Sequence, residues 1–143
     1  MKYAEGNIWE IDGDAICITT NGVILPSGNA VMGAGLALQA KIRYPDLPKW
    51  LGNYMNRNGN VVGIYLDAKP TIITVPTKND WRDISNLKLI EKSLTSLRII
   101  AERKVRERIL ITPLGCGLGK LNWSVVKPLM EEYLDDTYVC VIT

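Results

Sequence analysis

Two glycine-rich segments, each placed after a short apolar run, constrain this chain more than any other feature of its sequence. The first, Gly33-Ala34-Gly35, follows the run at 15–20 after a loop and opens an apolar-periodic segment. The second, residues 113–119, directly follows the run at 109–112. Exposed backbone amides and a helix N-terminus can converge on one anion, so two such loops at strand ends can clamp a diphosphate. The first loop is not a Walker loop, and it lacks the third glycine of the dinucleotide fingerprint.

Apolar periodicity predicts alternating strands and helices around these two loops. An apolar residue recurs every three or four positions over 85–102, which is typical of an amphipathic helix. Strands at 61–66 and 71–75 flank turn residues and therefore predict a hairpin. Other strands are predicted at 15–20, 109–112 and 138–142, and other helices at 35–43, at 47–56 and after a cap at Ser124. Pro128 suits that last helix only near its first turn.

This order of elements predicts one α/β domain over residues 1–143, a three-layer α/β/α structure with a mixed central sheet. The mixed character comes from the hairpin, since its two strands pair antiparallel. Residues 2–11 mix apolar and polar positions around Gly6-Asn7, and no element is predicted there. The hydrophobic content of 47% supplies enough material for a proper core at this length.

Composition narrows the classes of function. The 17 basic and 15 acidic residues leave a net charge of +2, so bulk charge predicts no nucleic-acid partner. The start of the chain shows no secretory leader and no run spans a bilayer, which predicts a cytoplasmic protein with no membrane partner. There is no histidine, so Ser-His-Asp and Cys-His catalysis and His-containing zinc sites are excluded, and no metal or cofactor is expected. Cys116 could be proposed as a nucleophile, but a small residue fitting a tight turn is the favoured interpretation.

Several ordered motifs resemble those of the macrodomain family. They are Gly6-Asn7-Ile8, Asp14-Ala15-Ile16, Asn21, residues 32–37, and residues 113–119 with Leu121-Asn122-Trp123. The resemblance covers nearly the whole chain and implies a macrodomain with a cleft for ADP-ribose at the carboxyl ends of the strands. The segments 75–82 and 85–94 are most similar to the branch that contains DNA ADP-ribosyl glycohydrolase antitoxins and a human terminal ADP-ribose-protein glycohydrolase.

The resemblance also implies where ADP-ribose would lie. Asn7 and Ile8 would lie near adenine, Asn21 near the distal ribose, residues 33–36 under one phosphate, and residues 115–119 around the diphosphate and distal ribose. Many macrodomains have Asp where this chain has Asn7, so weaker discrimination for adenine is expected. The full set of implied contacts is Asn7, Ile8, Thr19, Asn21, Met32, Gly33, Ala34, Gly35, Leu36, Thr77, Pro113, Leu114, Gly115, Cys116, Gly117, Leu118 and Gly119.

Lys78 is the candidate catalytic residue. It follows a buried-looking strand and Pro76-Thr77, where desolvation beside a positive phosphate-binding surface would favour a neutral, nucleophilic amine. From the turn alone a surface lysine is the better interpretation. The resemblance reverses that preference, since the matching lysine of the related glycohydrolases acts at the anomeric carbon of the distal ribose or stabilises charge there.

Two neighbouring features bear on the substrate. Trp81 and Arg82 could contact a nucleobase and a phosphate, although Trp81 could equally be a lid packed on the domain. The protein-directed enzyme of this branch carries an acid after Gly-Cys-Gly-Leu, where this chain has Gly119. This departure favours ADP-ribosylated DNA over protein. Asp80 and Asp83 are nearby carboxylates, for which an exposed turn is the favoured interpretation over general acid or base catalysis.

Three functions follow as hypotheses. The first is a bacterial or phage hydrolase that removes ADP-ribose from a macromolecule, most plausibly DNA, by cleaving the glycosidic bond at the distal ribose with Lys78. The second is a phosphatase acting on ADP-ribose 1″-phosphate, which would not obviously require Lys78. The third is a binding module that recognises free or attached ADP-ribose and catalyses nothing.

Overall fold

Strands and helices alternate along most of the chain, and the computed structural model describes all of residues 1–143. The strands are β1 (Lys2–Glu5), β2 (Ala15–Thr20), β3 (Gly63–Tyr65), β4 (Thr71–Pro76), β5 (Ile109–Ile111) and β6 (Tyr138–Ile142). The helices are α1 (Gly35–Arg43), α2 (Leu47–Asn58), α3 (Leu87–Glu102) and α4 (Trp123–Tyr133), with a single 3-10 turn at Ile8–Glu10.

The six strands form one sheet in the order β1-β6-β5-β2-β4-β3. Every neighbouring pair is parallel except β3 and β4, which form the antiparallel hairpin that the sequence predicts. The mixed sheet is therefore confirmed. In the register of β2 and β4, Thr20 pairs with Pro76, so these two strands end level and deliver their following residues side by side.

Successive side chains of the central strand β2 point to opposite faces of the sheet, and each face packs against its own layer of helices. Ala15 and Cys17 face one core with α3 and α4, whereas Ile16 and Ile18 face the other with α1 and α2. All four residues are at most 1% exposed. Burying a branched aliphatic side chain stabilises a fold by about 1.5–3 kcal/mol, so both layers are held to the sheet by apolar contact. The predicted three-layer α/β/α class is confirmed.

Most predicted boundaries agree with the structure to within a few residues. Helix α1 has the predicted bounds, while α2 runs two residues further than predicted and the hairpin strand at 61–66 is shorter, at Gly63–Tyr65. The strand β1 was not predicted. It lies at the edge of the sheet, where all but one of its residues are exposed, so its sequence carries little apolar alternation.

The expectation for the start of α4 was wrong. Asn122, not Ser124, caps this helix, since the Asn122 side chain accepts hydrogen bonds from the Ser124 N–H at 2.9 Å and from the Ser124 hydroxyl at 2.8 Å. Pro128 consequently lies inside the helix rather than in its first turn. It has no N–H to donate to the carbonyl of Ser124, and its exposed position leaves that carbonyl to solvent.

Candidate functional site

The carboxyl ends of the parallel strands bring Asn7, the two glycine loops and the turn with Lys78 to one edge of the sheet, whereas the motif Asp14-Ala15-Ile16 lies at the start of β2. Asn7 follows β1, the loop 21–34 follows β2, Thr77 and Lys78 follow β4, and the loop 112–121 follows β5. In an open α/β sheet this edge is where ligands bind. The topology therefore makes neighbours of segments that are far apart in the chain.

The first glycine loop ends at the N-terminus of α1. Ala34 occupies the cap position and makes no side-chain capping hydrogen bond. Gly33 and Ala34 donate their backbone N–H groups to no acceptor within the chain. The first-turn amides of a helix carry partial positive charge, so this end of α1 offers donors to an anion.

The second glycine loop is folded tightly against Ser85. The Ser85 N–H donates to the carbonyl of Gly119 at 3.0 Å, and Leu121 closes the loop by donating to Gly115 at 2.9 Å. Gly117, Leu118 and Gly119 donate their own N–H groups to no acceptor in the chain. Gly117 and Leu118 are exposed and Gly119 is buried, so the free donors of 117 and 118, like those of the first loop, are suited to oxygen atoms of a phosphate or ribose.

The side chain of Ser85 lies beneath this loop and is only 4% exposed. Its hydroxyl has no hydrogen-bond partner. A Cβ placed on Gly119 would collide with that hydroxyl and would lie 2.5 Å from the carbonyl oxygen of Gly115. Glycine is therefore required at 119 for lack of space.

The two loops approach each other across the edge of the sheet. A Cβ built on Gly35, whose φ is +56°, would lie 3.3 Å from Cδ1 of Leu118. Leu118 is itself 65% exposed, so it extends from the second loop towards the start of α1 without being packed into the core. The start of α1 and the second loop therefore lie close together.

Lys78 lies in a turn that follows β4, the strand next to β2 in the sheet. Thr77 is buried, and its N–H donates to the carbonyl of Thr20 at 3.1 Å. The Gly22 N–H of the first loop donates to the carbonyl of Asn79 at 3.1 Å. Lys78 is half-buried, and its ammonium group makes no ion pair in the chain. Its amine thus has no ion-pair partner within the chain, and the turn that carries it is bonded to the start of the first loop through Gly22.

Asp80 and Arg82 form a compact ion pair beside Trp81. The Arg82 guanidinium donates to the two carboxylate oxygens of Asp80 at 2.9 and 2.6 Å. Its Cζ atom lies 5.5 Å from the ring centroid of Trp81, which is 52% exposed. Trp81 is therefore not packed on the domain as a lid. Hydrogen bonds from the Arg82 side chain lower the pKa of Asp80 to about 2, so this carboxyl is ionised at neutral pH and holds no proton for general acid catalysis.

We expect the Asp80 carboxyl to titrate near pH 2 in the wild type, and with a midpoint closer to the ordinary value of about 3.9 in Arg82→Ala. The stabilisation from this pair is present above the ordinary pKa and is lost as the pH falls through about 2, because the folded-state pKa is the lowered one. Carboxyl ¹³C NMR measures both midpoints, with Arg103→Ala as the control. Equal midpoints in wild type and Arg82→Ala would contradict the pairing.

Two side chains that were predicted to contact the ligand make hydrogen bonds to the backbone of the protein itself. The side-chain oxygen of Asn7 accepts from the Trp9 N–H at 3.0 Å, which leaves one acceptor position for adenine. Asn21 donates to the Val31 carbonyl at 3.1 Å and accepts from Val23 at 2.9 Å. Asn21 therefore shapes the first loop with both ends of its amide.

The remaining predicted residues divide by burial. Ile8, Met32, Thr77, Leu114, Gly115 and Gly119 are buried and support the edge from below, whereas Gly33, Ala34, Gly35, Gly117, Leu118, Trp81 and Arg82 are exposed. Thr19, Asn21, Leu36, Pro113 and Cys116 are half-buried. Burial raises the pKa of the Cys116 thiol, which agrees with its interpretation as a small turn residue rather than an activated nucleophile.

Sequence reasoning missed two residues at this edge. Ser85 was assigned only to the start of a helix, and Asn60 only to a turn. Asn60 donates to the carbonyl of Lys78 at 2.9 Å and to the side chain of Asn79 at 3.1 Å. A polar side chain in a loop gives no sequence signal of its long-range partner, so neither contact could be inferred from local pattern.

A concavity lies at the opposite edge of the molecule, between the C-terminal halves of α3 and α4. Its volume is about 390 Å³, and Glu102, Glu131, Glu132 and Asp135 line it together with Arg98. This excess of negative charge does not suit a diphosphate. No three His, Cys, Asp or Glu side chains are grouped to hold a metal ion. No helix combines the length and apolar character that crossing a membrane requires.

Comparison with known proteins agrees with the fold. No protein-family model matches the chain. The DNA ADP-ribosyl glycohydrolase of Mycobacterium tuberculosis is 34% identical over 135 residues, covering 89% of this chain and 36% of the relative. The solved macrodomain of Thermus aquaticus DarG is 31% identical, with a TM-score of 0.80, and covers 99% of this chain and 97% of that one. The macrodomain of Mycobacterium tuberculosis DarG is 27% identical, with a TM-score of 0.82 and the same coverage.

Fold and edge together define a three-layer α/β/α domain that presents two amide-rich loops and a lysine at the carboxyl ends of its strands. More specifically, the chain belongs to the macrodomain family, in the group that contains the DarG macrodomains. It spans about 36–39% of the length of the curated DNA ADP-ribosyl glycohydrolases that it matches.

Proposed function

We propose that this protein removes ADP-ribose from a modified nucleic acid by cleaving the glycosidic bond at the distal ribose, with Lys78 as its catalytic residue. The observation that carries the proposal is a half-buried, unpaired lysine in the turn after β4, at the same edge of the sheet as two amide-rich loops. The relatives named DNA ADP-ribosyl glycohydrolase support the same reaction class.

In this proposal the two glycine loops bind the diphosphate. The unpaired amides of Gly33 and Ala34 and the start of α1 take one phosphate, and those of residues 117–119 take the other phosphate and the distal ribose. Asn7 and Ile8 lie at the adenine end, and Thr19, Asn21, Met32, Leu36 and Thr77 shape the floor of the cleft. Residues 113–116 carry the second loop.

Lys78 then acts at the anomeric carbon of the distal ribose. As a nucleophile, its neutral amine forms a C–N bond while the bond to the base breaks, and the leaving base takes up a proton. Water subsequently displaces the amine and releases ADP-ribose. As a charge stabiliser, its ammonium would instead lie beside the opening bond and form no covalent adduct. Before hydrolysis, the ribose ring of the lysine adduct can open to an imine, which borohydride reduces to a stable secondary amine. A trapped lysine adduct during turnover therefore indicates the nucleophilic role.

Nucleic acid is the proposed substrate because of Gly119 and Trp81. An acidic side chain at 119 would collide with the Ser85 hydroxyl, so the acid partner of the protein-directed enzyme has no space here. Trp81 is exposed beside the cleft and can stack on a flanking base, a contact worth about 1–3 kcal/mol. Arg82 is exposed and uses two of its five N–H donors on Asp80, so the remaining donors are free for a phosphate.

The substrate is tested by incubating the protein with thymidine-linked ADP-ribosylated single-stranded DNA, with protein-linked ADP-ribose and with ADP-ribose 1″-phosphate. Product release from each is measured, and ADP-ribose binding is titrated alongside. We expect release from DNA to be the fastest. Release only from protein would overturn the nucleic-acid preference, phosphate release only would indicate the phosphatase, and binding without turnover would indicate a non-catalytic module.

A further inference from the structure

The peptide group of Lys78 is held by a residue outside both glycine loops. Asn60 belongs to residues 59–62, which connect α2 to β3, and it is half-buried. Its side-chain amide donates to the Lys78 carbonyl at 2.9 Å and to the Asn79 side-chain oxygen at 3.1 Å. No other hydrogen bond is made to the Lys78 carbonyl.

The chain before this turn is fixed independently. Ser93 on α3 donates its hydroxyl to the Pro76 carbonyl at 2.8 Å, and Thr77 is bonded through its N–H to Thr20 and through its carbonyl to the Asn86 N–H. Regular pairing of β4 with β2 ends at Pro76. Beyond Thr77, the hydrogen bonds that hold residues 78–79 to the domain therefore come from Asn60 and from Gly22.

Asn60 and Gly22 lie next to each other, and both contact the turn that contains Lys78 and Asn79. A Cβ on Gly22 would lie 2.8 Å from the Asn79 carbonyl oxygen and 2.9 Å from Nδ2 of Asn60. Three separate segments thus meet within van der Waals contact, and a side chain at 22 would displace one of them. The junction links the first loop, the 59–62 connection and the lysine turn.

We propose that Asn60 is a positioning residue for Lys78. Asn60 fixes the peptide from which the flexible lysine side chain extends. It thereby sets the region at the distal ribose that the amine can reach. The inference rests on the proposed function of Lys78. Because displacing a reacting group by 1 Å can cost on the order of 10²-fold in rate, a released peptide would lower turnover without removing any ligand contact.

The test compares Asn60→Asp with Asn58→Ala. The first variant keeps the size of the side chain and removes both N–H donors. The second removes an exposed amide two residues earlier, which donates only to the Tyr54 carbonyl at 3.0 Å. We expect Asn60→Asp to lower kcat on ADP-ribosylated DNA by on the order of 10-fold or more, with KM and ADP-ribose Kd within about 2-fold of wild type. Asn58→Ala should match wild type throughout.

Two further measurements separate positioning from general damage. In a Lys78→Ala background the Asn60→Asp substitution should have no additional effect on turnover, since the two residues act through one group. The ¹³C signal of methylated Lys78 should shift in Asn60→Asp and not in Asn58→Ala. That signal needs no turnover, so it tests the positioning even where an inactive wild type overturns the proposed function. An unchanged lysine signal, or a parallel loss of kcat, ADP-ribose affinity and Tm, would overturn the inference.

Discussion

Lys78→Ala is expected to lose turnover on ADP-ribosylated DNA by on the order of 10²- to 10⁴-fold while ADP-ribose affinity stays close to that of the wild type. Affinity should be retained because Lys78 makes no ion pair within the chain, and its removal therefore leaves the two amide-rich loops and the fold intact. Initial rates and isothermal titration of ADP-ribose measure the two effects separately.

Lys78→Arg and Lys88→Ala are the matched controls. The guanidinium of an arginine stays protonated, so Lys78→Arg should be inactive for a nucleophilic lysine and partly active for a charge stabiliser. Lys88 is exposed on the first turn of α3, and its removal should leave the rate unchanged. A rate in Lys78→Ala within a few-fold of wild type would contradict the assignment of Lys78 as the catalytic residue.

Gly119→Ala is expected to lower the free energy of unfolding by about 1–3 kcal/mol or more and to abolish tight ADP-ribose binding. The added methyl group meets the Ser85 hydroxyl and lies 2.5 Å from the Gly115 carbonyl oxygen, so the second loop must open to admit it. Urea denaturation and ADP-ribose titration measure these two losses.

Gly117→Ala is the control within the same loop, because a Cβ at 117 has no atom within 4 Å. It should fold with wild-type stability, so any loss of binding in this variant reports on the ligand itself. Adding Ser85→Ala to Gly119→Ala removes the first collision and leaves the second, so only part of the stability should return. Equal stability of Gly119→Ala and Gly117→Ala would contradict the packing described for this loop.

The sequence predicted the elements that depend on local pattern. Helix α1 has its predicted bounds, and the stripe over 85–102 forms α3. The hairpin also followed from local signals, namely β-branched runs around a turn. Edge strand β1 escaped prediction because its pairing with β6 involves the opposite end of the chain and leaves most of its residues exposed.

The candidate site likewise has features that the sequence predicted and features that only the structure shows. Glycine spacing pointed to Gly33–Gly35 and Gly115–Gly119, and the family resemblance pointed to Lys78. The structure brings these segments to one edge of the sheet. Their ligand contacts remain predictions. Pairing of Asp80 with Arg82 and the engagement of Asn21 within its own loop were not evident from the sequence, because a side chain's choice between solvent, ligand and neighbour depends on local geometry.

The sequence by itself thus determined the layered α/β/α class and the two glycine loops, because hydrophobic periodicity and glycine spacing are local properties, whereas Lys78 was selected by the family resemblance. Only the tertiary structure decided that Ser85 leaves no room at Gly119, and that Asn60 holds the Lys78 peptide. Both contacts join segments distant in the chain, and their existence depends on atomic distances that the folded sheet and its connections set.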